Sequence, residues 1–190
     1  MSIEAGVLVG RNGRPLYWHM PRGASVVELP DSATLWDVIW RFRHISQGFA
    51  HTHPGRGMPE PSKTDLTTFA AVEAGLGRRF VWWILSEDDV ISVSWDSTME
   101  KYISGTVLEN ASWMHTLREV SLSGDSVEKV MRRQVADSIR EQILRLSPDQ
   151  RIEILNGIHF CLRCGEDLRD VRPTDDGRPK VMRCTCVRDE

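Results

Sequence analysis

Apolar and polar residues follow a strand-like or helix-like period along most of the chain. Segment 3–10 is rich in β-branched residues and predicts a first strand. Asn12-Gly13, typical of a two-residue hairpin turn, leads to a return strand at 15–20. The same criteria predict the remaining strands at 26–29, 47–53, 80–85, 90–95 and near 103–108.

Helical spacing of apolar residues predicts four helices. They lie at 33–45, at 62–74, at 126–144 and in a segment that opens at Ser147-Pro148. Asp31 or Ser32 is the predicted N-cap of the first helix. The order of these elements predicts an α/β layered domain.

The positions of the tryptophans and of three histidines within these elements predict whether they are buried or exposed. Trp36 and Trp40 are four apart on one helix face, which favours core packing. Trp82 and Trp83 are adjacent in a strand, so one should face the core and the other a helix layer or a partner. We expect three other histidines to be surface or capping residues rather than metal ligands: His19, His44 and His115.

The chain organisation predicts three parts. Residues 1–122 form the main domain, residues 123–157 a helical segment, and residues 158–190 a cysteine module. The helix at 126–144 is read as a brace on the main domain, with a dimerising helix as the alternative.

Composition excludes some classes of protein. The 190 residues are 41% apolar and 27% charged, with a formal net charge of -3, which is ordinary for a soluble protein and gives no global attraction to nucleic acid. No apolar stretch reaches the roughly 20 residues of a membrane span, and no secretion signal is visible. We therefore expect a cytoplasmic protein without a membrane partner.

The most informative residues are His51, His53 and Asp65. Two histidines at i and i+2 on an extended segment point to the same side, where neutral imidazoles can bind one zinc ion. An aspartate at the start of the next helix can supply a third ligand, which leaves a fourth position for water. Zinc lowers the pKa of such a water toward about 7 and polarises a carbonyl.

Ordinary explanations exist for each feature. A histidine pair of this kind arises by chance, and Ser62-x-x-Asp65 is a capping box that needs no metal.

Taken together, GFAHTHP followed by PSKTD at 61–65 resembles the motif of the JAB/MPN (JAMM) zinc metallopeptidases. The resemblance implies that His51, His53 and Asp65 bind a catalytic zinc and that Ser62 helps to hold the oxyanion. It implies a three-layer α/β fold of the cytidine-deaminase-like type and hydrolysis of a peptide or isopeptide bond. The implied substrate is a protein with an extended C-terminal tail, such as a ubiquitin-like modifier.

Two features depart from the family pattern. Eleven residues separate His53 from Asp65, one more than in the family, and the Gly-rich loop before Ser62 is where we expect the extra residue. The family also uses a glutamate on its first strand as general base. Glu4 takes this place, in a segment one residue shorter than the family's, and Glu28 is the weaker substitute because its strand is the wrong one.

Four cysteines form a separate module near the C-terminus. Cys161 and Cys164 are followed by Cys184 and Cys186, a spacing that predicts a structural zinc site, and His159 is a possible replacement ligand. Free thiols, disulfides or a redox pair are the alternatives. The arginines of this module make nucleic-acid contact conceivable but are offset by acidic residues.

Three functions compete at this point. The first is a zinc-dependent peptidase or isopeptidase with one catalytic and one structural zinc. The second is a catalytically inactive MPN-like scaffold whose ribbon docks protein or nucleic-acid partners. The third, and weakest, is a nucleic-acid-associated protein.

Overall fold

The computed structural model describes residues 2–107, 111–158 and 160–165. The chain divides after Val127 into two compact units. The described part of the chain contains one six-stranded sheet and five helices, an α/β architecture. No helix within it is both long enough and apolar enough to cross a membrane.

The sheet of the first unit is mixed. Its strands are β1 (Gly6–Gly10), β2 (Pro15–His19), β3 (Ser46–Thr52), β4 (Val81–Leu85), β5 (Val90–Asp96) and β6 (Lys101–Thr106). Their order across the sheet is β2-β1-β3-β4-β5-β6. All neighbours are antiparallel except β3 and β4, which are parallel and therefore need a crossover connection.

Five helices lie in the described part of the chain. They are α1 (Ala33–Arg41), α2 (Lys63–Leu76), α3 (Ser112–Ser123), α4 (Val127–Leu144) and α5 (Pro148–Gly157). Of these, α1 and α2 have clear end signals. Ser32 caps α1 through the amide of Leu35, as predicted. The crossover helix α2 ends at Gly77, whose φ of 63° suits a residue without a Cβ.

Several predicted elements differ from the structure. Residues 26–29 are not a strand, because they lie in a turn closed by the Ser25 amide and the Glu28 carbonyl. Helix α1 ends at Arg41 instead of Ile45, since the chain must turn there to enter β3. Helix α3 was not predicted, although Trp113, Leu117 and Val120 have helical spacing.

Helices cover both faces of the sheet in the first unit. On one face Phe69 of α2 stacks on Trp82, with ring centroids 4.1 Å apart and planes at 12°. On the other face Trp83 meets Trp113 of α3 edge to face at 5.6 Å. The prediction that Trp82 and Trp83 face different layers is confirmed.

The prediction that Trp36 and Trp40 pack in the core is wrong. Trp36 is 37% exposed and Trp40 is 55% exposed, and only Leu35 and Ile39 of α1 are buried. Helix α1 therefore presents an aromatic surface to solvent.

A close approach between β3 and β4 depends on Gly48. A Cβ at this position would overlap the carbonyl oxygen of Val81 on the parallel neighbour. Only glycine lets the two strands pair at this point, and their pairing fixes the strand that carries His51.

A buried carboxylate ties α2 to β4 and β6. Glu73 accepts hydrogen bonds from Arg79 at 2.7 Å, the Phe80 amide at 3.1 Å, the Trp82 indole at 2.9 Å and the Tyr102 hydroxyl at 3.0 Å. Burial, together with the hydrogen bond to Glu73, raises the pKa of Tyr102 to about 12. The donors around Glu73 all require an acceptor, so this position needs a carboxylate.

We expect Glu73→Gln to lower the free energy of unfolding by about 2–4 kcal/mol, because the amide brings its own N–H donors into a site already full of donors. Urea denaturation measures the change. Asp37→Asn, at an exposed position of α1, is the control and should stay within about 0.5 kcal/mol of the parent protein. An unchanged midpoint for Glu73→Gln would contradict this assignment.

Candidate metal centre

The two histidines lie where β3 leaves the sheet. His51 pairs with Gly6 on one side and Ile84 on the other, and it is buried. His53 lies just past the strand, where its amide donates to the carbonyl of Leu85 at 2.8 Å. Because alternate residues share one face, both rings lie on the α2 side of the sheet. The strand prediction for this segment is confirmed.

Asp65 completes a three-residue group. Its Oδ1 lies 3.1 Å from Nε2 of His51, and its Oδ2 lies 3.3 Å from Nε2 of His53. The two Nε2 atoms are 3.1 Å apart. The structure therefore brings together the three residues that the sequence predicted to be metal ligands.

Protons alone do not satisfy these three contacts. If each histidine donates to Asp65, two N–H groups face each other at 3.1 Å. If only one ring carries the Nε2 proton, the lone pair of the other ring faces a carboxylate oxygen. A cation at the centre can bind the lone pairs of both Nε2 atoms and of the carboxylate at once.

The distances also fit a metal. Ligand atoms about 2.0–2.1 Å from a tetrahedral zinc ion lie about 3.3 Å from one another. The two Nε2 atoms are 3.1 Å apart, and each lies 3.1 or 3.3 Å from a different oxygen of Asp65, so the pairwise distances are near that spacing. Two imidazoles and a carboxylate can hold a divalent metal ion here, with the fourth ligand position left to solvent.

Asp65 serves the helix and the candidate metal centre at the same time. The Ser62 hydroxyl accepts from the Asp65 amide at 3.1 Å, and the Asp65 carboxylate accepts from the Ser62 amide at 2.7 Å. This is the capping box, so the ordinary explanation of Ser62-x-x-Asp65 is confirmed. The cap does not compete with metal binding, because it fixes the carboxylate in the orientation that faces both rings.

The charges of the group are strongly coupled. Burial alone would raise the pKa of Asp65, but hydrogen bonds with His51 and His53 outweigh burial and hold that pKa well below its usual range. Burial alone would lower the pKa of His53, yet the hydrogen bond with Asp65 and its charge raise it, with smaller contributions from Glu4 and the backbone of Glu60. Positive charge is therefore favoured at this point.

Glu4 lies beside the group and is held in place. Its amide donates to the Ser25 carbonyl at 2.7 Å. The preceding residue, Ile3, is hydrogen-bonded to Ser121 of α3, and the amide of the following residue, Ala5, donates to the Thr52 hydroxyl. Glu4 is only 9% exposed, so it is a buried residue. Burial raises the pKa of Glu4 to about 7. The charge of His53 opposes this shift, and the charges of Asp65 and Glu28 add to it.

The group opens into a large cavity of about 890 Å³. Glu4, Ser62 and the three candidate ligands are among the residues that line it. The rest is formed by the loop between β2 and α1 together with apolar residues of the helices and sheet: Val26, Val27, Leu29, Leu35, Trp36, Ile39, Phe49, Phe69, Val72 and Trp82. A small molecule or chain segment in this space would lie next to the candidate metal centre.

His19 anchors the loop that forms the cavity wall. Its Nε2 lies 2.8 Å from the Pro30 carbonyl oxygen, and its side chain is 1% exposed. The prediction that His19 is a surface or capping residue is therefore wrong. Burial lowers the pKa of His19, with the Pro30 carbonyl and Asp31 opposing the shift.

Two supporting contacts were not predicted from the sequence. The Phe69 ring meets His51 edge to face at 6.3 Å. The Gly-rich loop before Ser62 is tied to the β4–β5 turn, since the Gly57 amide donates to Asp88 at 2.7 Å and the Glu87 amide to the Gly55 carbonyl at 2.8 Å. Helical spacing from Asp65 to Phe69 was the signal that could have placed Phe69 beneath the ligands.

The cysteine module is described only in part. The chain turns at 161–165, where the Gly165 amide donates to the Cys161 carbonyl at 2.7 Å and the Arg163 amide to Cys161 Sγ at 3.4 Å. Gly165 has a φ of 73°, and a Cβ there would overlap the backbone of Arg132. Cys184, Cys186 and His159 lie outside the described residues.

Comparison with known proteins gives no family for this chain. No protein-family model matches it, and no curated protein sequence matches it. The similarity to the JAB/MPN motif therefore depends on the residues quoted above.

Replacing both histidines should remove about one equivalent of divalent metal per chain. We expect His51→Ala combined with His53→Ala to lose this equivalent, because one carboxylate cannot hold the ion alone. Zinc content after dialysis measures it, with circular dichroism to confirm folding. His44→Ala, an exposed histidine, is the matched control, and equal metal contents in all three proteins would refute the metal centre.

His19 should make stability depend on pH. Because its folded-state pKa is lowered, the unfolded chain takes up a proton below about pH 6.5 while the folded protein does not. The contribution of neutral His19 is complete above that pH and is lost as the pH falls below it. Urea unfolding at pH 7.5 and 5.5 should show a smaller difference for His19→Gln than for the parent protein. His44→Gln should behave like the parent, and equal differences in all three would contradict the assignment.

Proposed function

We propose that this chain is a zinc-dependent hydrolase that cleaves peptide or isopeptide bonds. The observation that carries the proposal is the convergence of His51, His53 and Asp65 on a cavity, where each Nε2 lies 3.1 or 3.3 Å from a carboxylate oxygen and 3.1 Å from the other Nε2. A metal centre with three protein ligands and access to solvent is the arrangement used for catalysis, whereas purely structural zinc has four protein ligands. A bound zinc ion would polarise the substrate carbonyl and make water a stronger acid.

Glu4 is the proposed general base. It lines the cavity with the candidate ligands and is buried, and its carboxylate accepts no hydrogen bond from any described residue. Its carboxylate is therefore available to take a proton from the attacking water and to deliver it to the leaving amine. A nearby divalent cation favours the ionised carboxylate that this role requires.

Ser62 is the proposed donor to the oxyanion. Its Oγ accepts from the Asp65 amide, which leaves the hydroxyl proton free to donate into the cavity that Ser62 also lines. The helix cap fixes the position of Oγ, so the donor is already oriented when charge develops on the carbonyl oxygen.

The proposed substrate is a protein with an extended C-terminal tail. The resemblance to the JAB/MPN motif implies a substrate of this kind, of which ubiquitin-like modifiers are an example. The cavity, at about 890 Å³, has room for several residues of such a tail. The leaving amine belongs to a following residue or to a lysine side chain.

We also propose that the cysteine module holds a structural zinc ion. The turn at Cys161 exposes a backbone N–H to Sγ, which stabilises a thiolate, and Gly165 allows the tight reversal that a pair of cysteine ligands needs. Cys184 and Cys186 are the proposed remaining ligands on the basis of their spacing.

Activity tests should separate the base from the ligands. We expect Glu4→Gln to retain zinc and to lose about 10²–10⁴-fold in kcat, while His51→Ala loses both zinc and activity. The assay is release of aminocoumarin from the C-terminus of a ubiquitin-like protein, with and without a chelator. Glu100→Gln, at an exposed turn, is the matched control.

Full activity in Glu4→Gln would remove Glu4 from the mechanism. A protein that binds zinc at His51 and His53 but cleaves neither peptide nor isopeptide linkages would favour the alternative, an inactive scaffold.

A further inference from the structure

Arginines collect at the end of the sheet that lies opposite the candidate metal centre. His51 lies near the end of β3, whereas Ser46 begins that strand and pairs with Gly10 at the end of β1. The β1–β2 turn, the α1–β3 connection and the α2–β4 connection meet at this end. With the last turn of α1 they carry five residues that form the arginine patch: Arg11, Arg14, Arg41, Arg43 and Arg78.

Hydrogen bonds join these segments into one surface. The Arg78 guanidinium donates to the Arg43 carbonyl and, at 2.7 Å, to the Ser46 carbonyl. The Arg11 amide donates to the Ile45 carbonyl at 2.9 Å. The hairpin turn and the chain after α2 are therefore both fixed to the segment between α1 and β3.

The positive charge of the arginine patch is not balanced locally. None of its guanidinium groups forms an ion pair with a carboxylate of the described residues. Segments 11–14, 42–47 and 77–80 contain no acidic residue, and Asp37 is the one acidic residue of α1. Burial, together with the charge of Arg11, lowers the pKa of Arg78. A bound anion would relieve this repulsion.

Helix capping explains only part of the arginine patch. Arg43 and Arg78 donate to carbonyl groups at the end of α1 and just after it, which is a structural role. Arg11, Arg14 and Arg41 are exposed, and their side chains form no hydrogen bond with a described residue. Their charges are therefore available to a ligand.

An exposed aromatic ring adjoins the arginine patch. Trp40 is 55% exposed, and the Arg43 guanidinium lies 4.3 Å from the centroid of its ring. A hydrogen bond of 2.8 Å from Arg43 to the Trp40 carbonyl holds the two side chains together. An aromatic ring beside cationic groups can stack on a base while the cations bind phosphates. Charge alone would fit any polyanion, but the exposed ring favours one that carries bases.

We infer that the arginine patch and Trp40 bind single-stranded nucleic acid. One base stacks on Trp40, and the exposed arginines contact phosphates of the same strand. The strand is single because bases in a duplex are stacked on one another and offer no free face. A formal net charge of -3 does not oppose this site, because the positive charge is local. The inference goes beyond the proposed hydrolase and does not require it, since the two sites lie at opposite ends of β3.

Fluorescence anisotropy with a labelled oligothymidylate of about 12 nucleotides tests the inference on the full-length protein. We expect binding that weakens as salt is added. For three phosphate contacts the logarithm of the association constant should fall against the logarithm of salt concentration with a slope of about −2.

Charge-reversal variants locate the phosphate contacts. Arg11→Glu combined with Arg41→Glu should weaken binding at least about tenfold and reduce the salt slope by about 1.4, because two phosphate contacts are lost. Arg22→Glu combined with Lys63→Glu is the matched control. It changes net charge equally from exposed positions at the other end of the sheet, where β2 ends and α2 begins. Its affinity should stay within about threefold of the parent protein.

A strand without bases separates stacking from charge. The parent protein should bind an abasic strand of equal length at least about fivefold more weakly than the oligothymidylate. Trp40→Leu should bind the two strands equally, because it lacks the aromatic ring. Trp40→Phe keeps a ring and should restore the preference. Circular dichroism confirms that both variants are folded.

Every outcome decides for or against the inference. No binding of the oligothymidylate, equal losses in the two charge-reversal variants, or an unchanged preference for bases in Trp40→Leu would overturn it. Equal binding of polyglutamate would assign the arginine patch to an acidic protein, and equal binding of phosphatidylserine vesicles would assign it to a membrane. Either result would also overturn the inference.

The proposed hydrolase is tested separately. The variant with His51→Ala and His53→Ala should bind the oligothymidylate as the parent protein does, because its substitutions lie at the other end of β3. Binding that persists in this variant would leave the inference standing even if no peptide or isopeptide bond is cleaved. Loss of binding in a folded double variant would count against the location of the site.

Discussion

The parallel pairing of β3 with β4 is the constraint on which the candidate site depends. Parallel neighbours cannot be joined by a tight turn, so the chain must cross one face of the sheet before it returns. Helix α2 makes that crossing, and the loop 53–62 joins it to the end of β3. Its first turn is therefore brought to the place where His51 and His53 leave the strand, and Asp65 lies in that turn.

The same crossover explains how buried residues support the ligands. Glu73 on α2 holds the Trp82 indole, Trp82 stacks on Phe69, and Phe69 contacts the His51 ring. These contacts form one continuous packed row from a buried carboxylate to the candidate ligand. Close packing of this kind restricts ring rotation, so it keeps Nε2 of His51 directed at Asp65 without any contact to the metal itself.

The sequence predicted the candidate ligands because their signals are local. A histidine pair at alternate positions in a strand and an aspartate at N3 of a capped helix each determine direction within a few residues. The wall of the cavity was not predictable in this way. Residues 26–29 have the composition of a strand, but the hydrogen bonds from the Glu4 amide to the Ser25 carbonyl and from His19 to the Pro30 carbonyl hold them as a loop. Those contacts join segments that only the folded sheet brings together.

The capping box shows why two explanations of one motif need not exclude each other. Asp65 has two carboxylate oxygens with several lone pairs, so accepting one amide hydrogen bond leaves capacity for other partners. Its Oδ2 receives the Ser62 amide and still lies 3.3 Å from His53, while Oδ1 faces His51. The local helix signal thus orients the carboxylate in the folded protein before any ion binds. A ligand oriented in advance loses less conformational freedom when an ion binds, which favours binding.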